Sequence, residues 1–289
     1  MGRPFSRIIS GTMTWGQWGK NLSTKEMTLR IEAYVAMGIS SFDHADIYGG
    51  YTTEADFGAA FSASHVSRES VQFITKCGIQ YPSNARPLAV KHYDYTPQHI
   101  RQSVEDSLRN LQTEYLDLLL LHRPSPLMEP ELISDVIGAL LEEGKIRDFG
   151  VSNFEPTQMQ LLQNTRSISW NQIECSITHT TPMTNGQLDH CQTHQIGVMA
   201  WNPLGSYFKE TNAPKDRIQP LLTKLCSTYN CEADQLLLAW LLQHPAMIYP
   251  VVGTTEPKRI DKALQAEAIR LDIQDWFLLY EASRGHRVA

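Results

Sequence analysis

Four side chains of complementary acidity stand at intervals in the first half of the sequence: Asp43 and Tyr48 in FDHADIYGGY, Lys76 in FITKCG, and His122 in LDLLLLHRP. Tyrosine alone is a sluggish proton donor, with an ordinary pKa of about 10. A nearby ammonium favours the phenolate and lowers that pKa, while a carboxylate partner fixes the ammonium in place. A histidine can donate to an oxygen that is gathering negative charge. Together the four groups suit protonation of a carbonyl oxygen during its reduction. Taken singly, each has a plain structural use. Lys76 can snorkel to water, His122 can be a hydrogen-bonded rim residue, and Asp43 can cap the turn that follows it.

Such groups need elements that bring them together. Eight short β-rich runs recur along the chain: RIIS near 8, GISSFD near 40, VQFITK near 73, LDLLLLH near 118, IRDFGVS near 148, ISWNQIE near 170, GVMAWN near 199 and MIYPVVG near 249. Longer stretches of helical periodicity lie between them. One is PQHIRQSVEDSLRNLQ, with apolar Ile100, Val104, Leu108 and Leu111; another is PELISDVIGALLEEGK, which closes on Gly144. Alternation of this kind predicts parallel pairing, and eight strands predict closure into a (β/α)8 barrel. The gap between GVMAWN and MIYPVVG is wide enough for two helices, IQPLLTKLCSTY and ADQLLLAWLLQHP, with a polar loop around KETNAPKD. We read this as a helical insertion before the last strand. A C-terminal helix follows at LDIQDWFLLYEA, and no linker divides residues 1–289, so one domain is expected.

In an eight-stranded α/β barrel the working groups sit at the C-terminal strand ends and in the loops beyond them. The second strand ends in Asp43 with Tyr48 in its loop, the third in Lys76 and the fourth in His122. The fifth runs into Ser152 and Asn153, the sixth carries Gln172, the seventh ends in Trp201, and the eighth leads into GTTEPKR. Polar groups are thereby predicted to converge on one mouth.

Composition narrows the classes of partner. The formal charge is −6 with no basic cluster, so a nucleic-acid footprint is missing and a membrane surface is not suggested. The opening MGRPFSRIIS has no signal-peptide core and LDLLLL is too short to span a bilayer, which predicts a cytoplasmic protein. Five cysteines without a CxxC pair argue against a disulfide framework or structural zinc, and read as reduced core thiols.

FDHADIYGGY, ITKCG, LDLLLLHRP, FGVSNF, NQIE, AWNPLG and PVVGTTEPKRI resemble, in order and spacing, the signatures of the aldo-keto reductase superfamily in its short-tailed bacterial form. The resemblance runs along nearly the whole chain. It implies a catalytic tetrad at Asp43, Tyr48, Lys76 and His122, with Tyr48 as the general acid. It also implies NADP(H) as cofactor, a small-molecule aldehyde or ketone as substrate, no metal, and a monomer.

By the same resemblance Ser152, Asn153 and Gln172 match residues that hold the nicotinamide carboxamide. Trp201 falls where an aromatic ring stacks on the nicotinamide, followed by Asn202 and Leu204. An amide needs both a donor and an acceptor, and a flat ring is a low-entropy platform. Gln172 could equally satisfy backbone groups and Trp201 could be core. GTTEPKR aligns Thr254 and Arg259 with phosphate-binding positions, flanked by Thr255 and Lys258, but Gly253 replaces the family's lysine. One charge is missing, so preference for the phosphorylated cofactor is expected to weaken and NAD(H) becomes a second cofactor. In GTMTWGQWG, Met13 and Thr14 match the opening cofactor-contacting segment. Trp15 is assigned to the substrate pocket against the alternative of a hydrophobic lid, with Tyr81, Tyr93 and Tyr95 as further pocket residues.

Two rival classes share parts of this pattern. His44, Asp46, Lys76, His122 and His179 lie near strand ends, as ligands of metal-dependent barrel hydrolases do, but the HxH and HExxH patterns are absent. Some relatives by fold act as cofactor-binding accessory subunits of membrane channels, yet nothing basic or amphipathic marks such a docking face here. GVSNF lacks the second glycine of a serine nucleophile elbow.

Overall fold

The computed structural model describes residues 5–83, 86–209 and 213–289. Its strands are β1 (Ile9–Gly11), β2 (Ser41–Asp43), β3 (Gln72–Cys77), β4 (Ile79–Gln80), β5 (His92–Tyr93), β6 (Leu118–Leu121), β7 (Phe149–Ser152), β8 (Trp170–Glu174), β9 (Gly197–Trp201) and β10 (Tyr249–Val252). Its helices are α1 (Thr24–Ala36), α2 (Thr53–Ser62), α3 (Pro97–Leu111), α4 (Pro130–Glu142), α5 (Pro156–Gln163), α6 (Gln187–Thr193), α7 (Ala213–Tyr229), α8 (Ala233–Leu242), α9 (Pro257–Gln265) and α10 (Ile273–Arg284).

Eight of these strands close in the order β1-β10-β9-β8-β7-β6-β3-β2. Each of the eight predicted runs overlaps one of them. Pairing is parallel and in sequence register, with Asp43 opposite Gly11 and Ile74, and Lys76 opposite Leu120. The insertion before β10 is the pair α7 and α8, and α10 is the expected C-terminal helix. Within the KETNAPKD loop, residues 210–212 lie outside the described residues.

Local sequence accounts for the helix ends. Thr96 caps α3 by accepting from the His99 amide, Pro97 occupies the first turn, and Gln112 closes the helix in the left-handed region. Ile100, Val104, Leu108 and Leu111 form its buried stripe, as their spacing predicts. Ser23 and Glu26 make a reciprocal capping box on α1. Sequence reading missed the β4–β5 hairpin, in which Ile79 pairs with Tyr93 and Gln80 with His92, antiparallel. Two-residue strands are too short to show an alternating pattern.

The chain divides into two compact units, residues 1–171 with 253–257, and residues 172–252 with 258–289. In the first, strand residues Phe42, Phe73, Ile74 and Leu118–Leu121 are buried, and an aromatic cluster joins Trp15, Tyr34, Phe42, Phe57, Phe61 and Phe73. Edge-to-face contacts of this kind add to simple area burial. In the second, Trp240 and Trp276 stack at 4.8 Å, and each indole N–H donates to the other's backbone carbonyl, at 3.1 and 2.9 Å. Among the described residues no helix is long and apolar enough to cross a membrane.

Candidate active site

Asp43 is the last residue of β2, and a tight turn returns the chain to it. The Tyr48 amide donates to the Ala45 carbonyl, and the Thr52 and Thr53 amides donate to the Tyr48 carbonyl. Gly49 and Gly50 occupy the left-handed region at φ +63° and +67°, where a Cβ is costly. The paired glycines thus let the loop fold over the strand end and hold Tyr48 beside Lys76.

Lys76 is the hub. Its ammonium lies 2.8 Å from both Asp43 Oδ1 and Oδ2, 2.7 Å from the His44 carbonyl and 3.2 Å from Tyr48 Oη. Three protons serve four acceptors, so the carboxylate shares one or more of them. Lys76 and Asp43 are 1% and 2% exposed, which removes snorkelling for the one and a solvent-facing cap for the other. Burial works against the ammonium, but Asp43 and Tyr48 outweigh it and raise the Lys76 pKa. Tyr48 differs from its expected direction: burial pushes its pKa up, against the lowering effect of Lys76 and Arg123. Desolvation of the phenol, invisible in the sequence, is the larger influence.

His122 is 6% exposed, and its ring centroid lies 6.2 Å from that of Tyr48, nearly perpendicular. Burial first, then Lys76, Arg123 and Lys91, hold its pKa well below the usual histidine range, so the imidazole is neutral. Nδ1 is buried without a partner. With the proton on Nε2 the ring is a neutral hydrogen-bond donor, the form suited to a carbonyl oxygen. Arg123 donates to the His122 carbonyl at 2.8 Å and to Ser152 Oγ at 3.3 Å.

Neighbouring residues brace this cluster, Thr12 among them unmarked by sequence reading. Thr12 Oγ1 donates to the Asp43 carbonyl at 3.0 Å and lies 2.9 Å from His44 Nδ1. His44 itself is wholly buried against Phe57 and Phe73, so its ring braces the peptide whose carbonyl receives Lys76. Asp46 has both carboxyl oxygens buried, and burial and then Glu54 push its pKa well up. Tyr95, expected in the pocket, is a strut instead. Its hydroxyl donates to the Arg123 carbonyl and accepts from the Arg123 amide, and a Cβ on Gly78 would strike its ring.

Trp15 also requires correction as a pocket residue. It is 0% exposed and packs on Tyr34, Phe42 and Phe57, because the turn after β1 sends it into the core. Trp18, three residues on and 39% exposed, sits 6.2 Å from Tyr48 and 5.2 Å from Tyr81 by ring centroid. The sequence offered both tryptophans in one segment with nothing to separate them. Tyr81 and Tyr93 pack with Tyr48 and Tyr51 on Ala45, Ile47 and Ile79.

Of the residues matched to a cofactor, Ser152 is buried and accepts from the Asn153 side chain at 2.7 Å, with Asn153 in the left-handed region at φ 61°. Three side chains tether the segment after β10. Thr14 Oγ1 donates to the Gly253 carbonyl at 2.8 Å, Tyr34 Oη to the Thr254 carbonyl at 3.0 Å, and Arg30 Nε to the Thr255 carbonyl at 2.9 Å. Tyr34 and Arg30 carry no cofactor signature and were not anticipated. Met13 and Gly253 are exposed. Lys258 and Arg259 are exposed in the first turn of α9. In the second unit Gln172 is buried, with its amide 3.9 Å from Met199 Sδ. Asn202, at φ 52°, donates to Glu174 at 2.9 Å and accepts from Lys209 at 2.9 Å, while Trp201 and Leu204 are half-buried.

The closed eight-stranded barrel is matched by comparison with known proteins, which defines a class of oxidoreductase. Residues 7–284 match the Aldo/keto reductase family, and the chain belongs to it. It is 41% identical to the uncharacterized oxidoreductase YcsN of Bacillus subtilis strain 168, over 98% of this chain and 96% of that one. It is likewise 41% identical to the 6-dehydroglucose reductase of Agrobacterium fabrum strain C58, with the same coverage. A crystal structure of an aldo-keto reductase from Klebsiella pneumoniae in complex with NADPH superposes with a TM-score of 0.76 at 24% identity, covering 98% of this chain and 91% of that one.

Proposed function

We propose that this aldo-keto reductase reduces an aldehyde or ketone to the alcohol with NADPH, and that Tyr48 protonates the substrate oxygen. The observation that carries the proposal is the Lys76 ammonium held between the Asp43 carboxylate and Tyr48 Oη. As negative charge grows on the substrate oxygen, Tyr48 gives up its proton and Lys76 stabilises the phenolate left behind. Asp43 keeps Lys76 charged and in place. Neutral His122 donates from Nε2 and sets the direction of the carbonyl.

The residues present fit a phosphorylated dinucleotide. Gly253 offers backbone with open space at its Cβ position, the tethers from Thr14, Tyr34 and Arg30 fix the segment, and α9 begins at Pro257 with Lys258 and Arg259 exposed. Helix starts and exposed guanidinium groups both favour phosphate. By the family resemblance Thr254 and Thr255 in the first unit and Arg259 in the second are the phosphate candidates, Ser152 and Asn153 in the first and Gln172 in the second are the carboxamide candidates, and Met13, Thr14, Trp201, Asn202 and Leu204 are the remaining family positions. Bound there, the nicotinamide supplies the hydride.

Trp18, Tyr81 and Tyr93 beside Tyr48 offer aromatic faces to a small carbonyl compound. The Agrobacterium relative's name adds sugar aldehydes to the classes worth testing. The test is a panel of aldehydes, ketones and sugar aldehydes with NADPH, read as loss of absorbance of the reduced nicotinamide. Turnover of at least one class is expected. No turnover, together with no NADPH uptake in a titration, would overturn the proposal.

A further inference from the structure

The five cysteines do not form one class. Cys77, Cys175 and Cys191 are buried, as core thiols should be, whereas Cys226 and Cys231 are half-exposed. These two belong to one helix end. α7 stops at Tyr229, Asn230 turns into the left-handed region at φ 47°, and the Cys231 amide donates back to the Cys226 carbonyl at 3.0 Å. In this type of helix termination the residue after the left-handed one folds back onto the side chain at the third helical position from the end, and the contact is ordinarily apolar. Here cysteine occupies both places, and the two side chains lie near enough to shift each other's acidity. Cys231 directly precedes Glu232, which caps α8.

We propose that Cys226 and Cys231 are a dithiol that closes to an intramolecular disulfide by exchange with a small-molecule disulfide, joining the end of α7 to the residue before α8. The Cys226 thiolate attacks a sulfur of the small disulfide, forming a mixed disulfide and releasing one thiol. The Cys231 thiolate then attacks the Cys226 sulfur and releases the second. Overall one protein dithiol is oxidised, one small disulfide is reduced, and the two protein protons leave on the two small thiols. Burial raises the pKa of the Cys226 thiol, but the neighbouring Cys231 side chain acts to lower it while the Cys226 side chain acts to raise that of Cys231, so Cys226 is the attacking residue. Burial, followed by the Cys226 charge, pushes Cys231 up to about 11, and Glu232 and Asp234 add negative charge around Cys226. Closure at neutral pH is accordingly slow.

The test incubates the reduced, native protein with oxidised glutathione under nitrogen, followed by acid quenching, intact mass and peptide mapping. The wild type is expected to lose two hydrogens, about 2 Da, to link the peptides holding Cys226 and Cys231, and to drop from five titratable thiols to three in denaturant. Cys231→Ser should stop with one glutathione on Cys226, and Cys226→Ser should form no internal link. A wild type that retains glutathione adducts without closing, that links a different cysteine, that dimerises through sulfur, or whose two thiols stay unreacted while the denatured chain reacts, would overturn the proposal.

Discussion

The Lys76 ammonium and the Asp43 carboxylate form a bidentate ion pair, 2.8 Å to each oxygen, with almost no exposure of either side chain. Two charges in that position are costly to bring out of water and are held by each other and by the His44 carbonyl and Tyr48. Removing one leaves the other buried without its partner. Lys76→Met is therefore expected to destabilise the fold by about 3–5 kcal/mol. Lys76→Met with Asp43→Leu should cost clearly less than the sum of the two single changes. Urea unfolding of the four proteins measures this, and simple additivity would contradict a coupled pair.

His44 gives the fold a dependence on acid. Burial, then Lys76 and Arg68, lower its pKa to about 3, against an ordinary value of about 6.5. As pH falls below the ordinary value, the unfolded chain takes up a proton that the folded chain refuses until near pH 3. Stability from this group is thus full above the unfolded pKa and lost on acidification, at about 1.4 kcal/mol per pH unit. His44→Asn cannot take up that proton, so its deficit relative to wild type should shrink by about 3 kcal/mol between pH 7 and pH 4. Parallel stability curves for the two proteins would show that the ring is not held neutral by burial.

Trp15 and Trp18 should separate stability from catalysis. Trp15→Ala removes a wholly buried indole from the Tyr34, Phe42 and Phe57 cluster and should cost about 3–5 kcal/mol of stability. Trp18→Ala, on an exposed ring against Tyr48 and Tyr81, should change stability by about 0.5 kcal/mol or less while raising KM for the carbonyl substrate. Thermal unfolding and steady-state kinetics on both variants check the division. The reverse pattern would return Trp15 to the pocket.

The barrel was legible because each strand is a compact apolar run separated from the next by a helix with a clear 3.6-residue stripe, as in Ile100, Val104, Leu108 and Leu111. The candidate tetrad was expected at one rim because Asp43, Lys76 and His122 stand where those runs end. What escaped was whatever depends on side-chain direction or on partners distant along the chain. Trp15 and Trp18 share one segment, and only the path of the turn puts the first in the core. Tyr34 and Arg30 read as ordinary α1 residues until their contacts with the Thr254 and Thr255 carbonyls are seen. Tyr95 looked like a pocket tyrosine, yet its hydroxyl is committed to the Arg123 backbone. Cys226 and Cys231 lack a CxxC spacing, and the helix end that joins them is a matter of backbone conformation at Asn230.

The segment proposed to bind phosphate invites a gain of function. A Cβ on Gly253 meets nothing within 4 Å, so a side chain there is accommodated. Gly253→Lys should tighten NADPH relative to NADH by about tenfold, the effect of one charge-assisted hydrogen bond of about 1.5 kcal/mol. Arg259→Ala should weaken NADPH much more than NADH. Fluorescence titration with both cofactors decides each case, and equal changes for the two would remove these positions from phosphate recognition.

The most direct test of the mechanism is Tyr48→Phe, which keeps the ring and deletes the proton donor beside Lys76. Turnover of the best carbonyl substrate with NADPH should fall by about 10² to 10⁴, while the cofactor dissociation constant stays within about twofold of wild type. A variant that binds NADPH and turns over at the wild-type rate would contradict the assignment of Tyr48 as the acid.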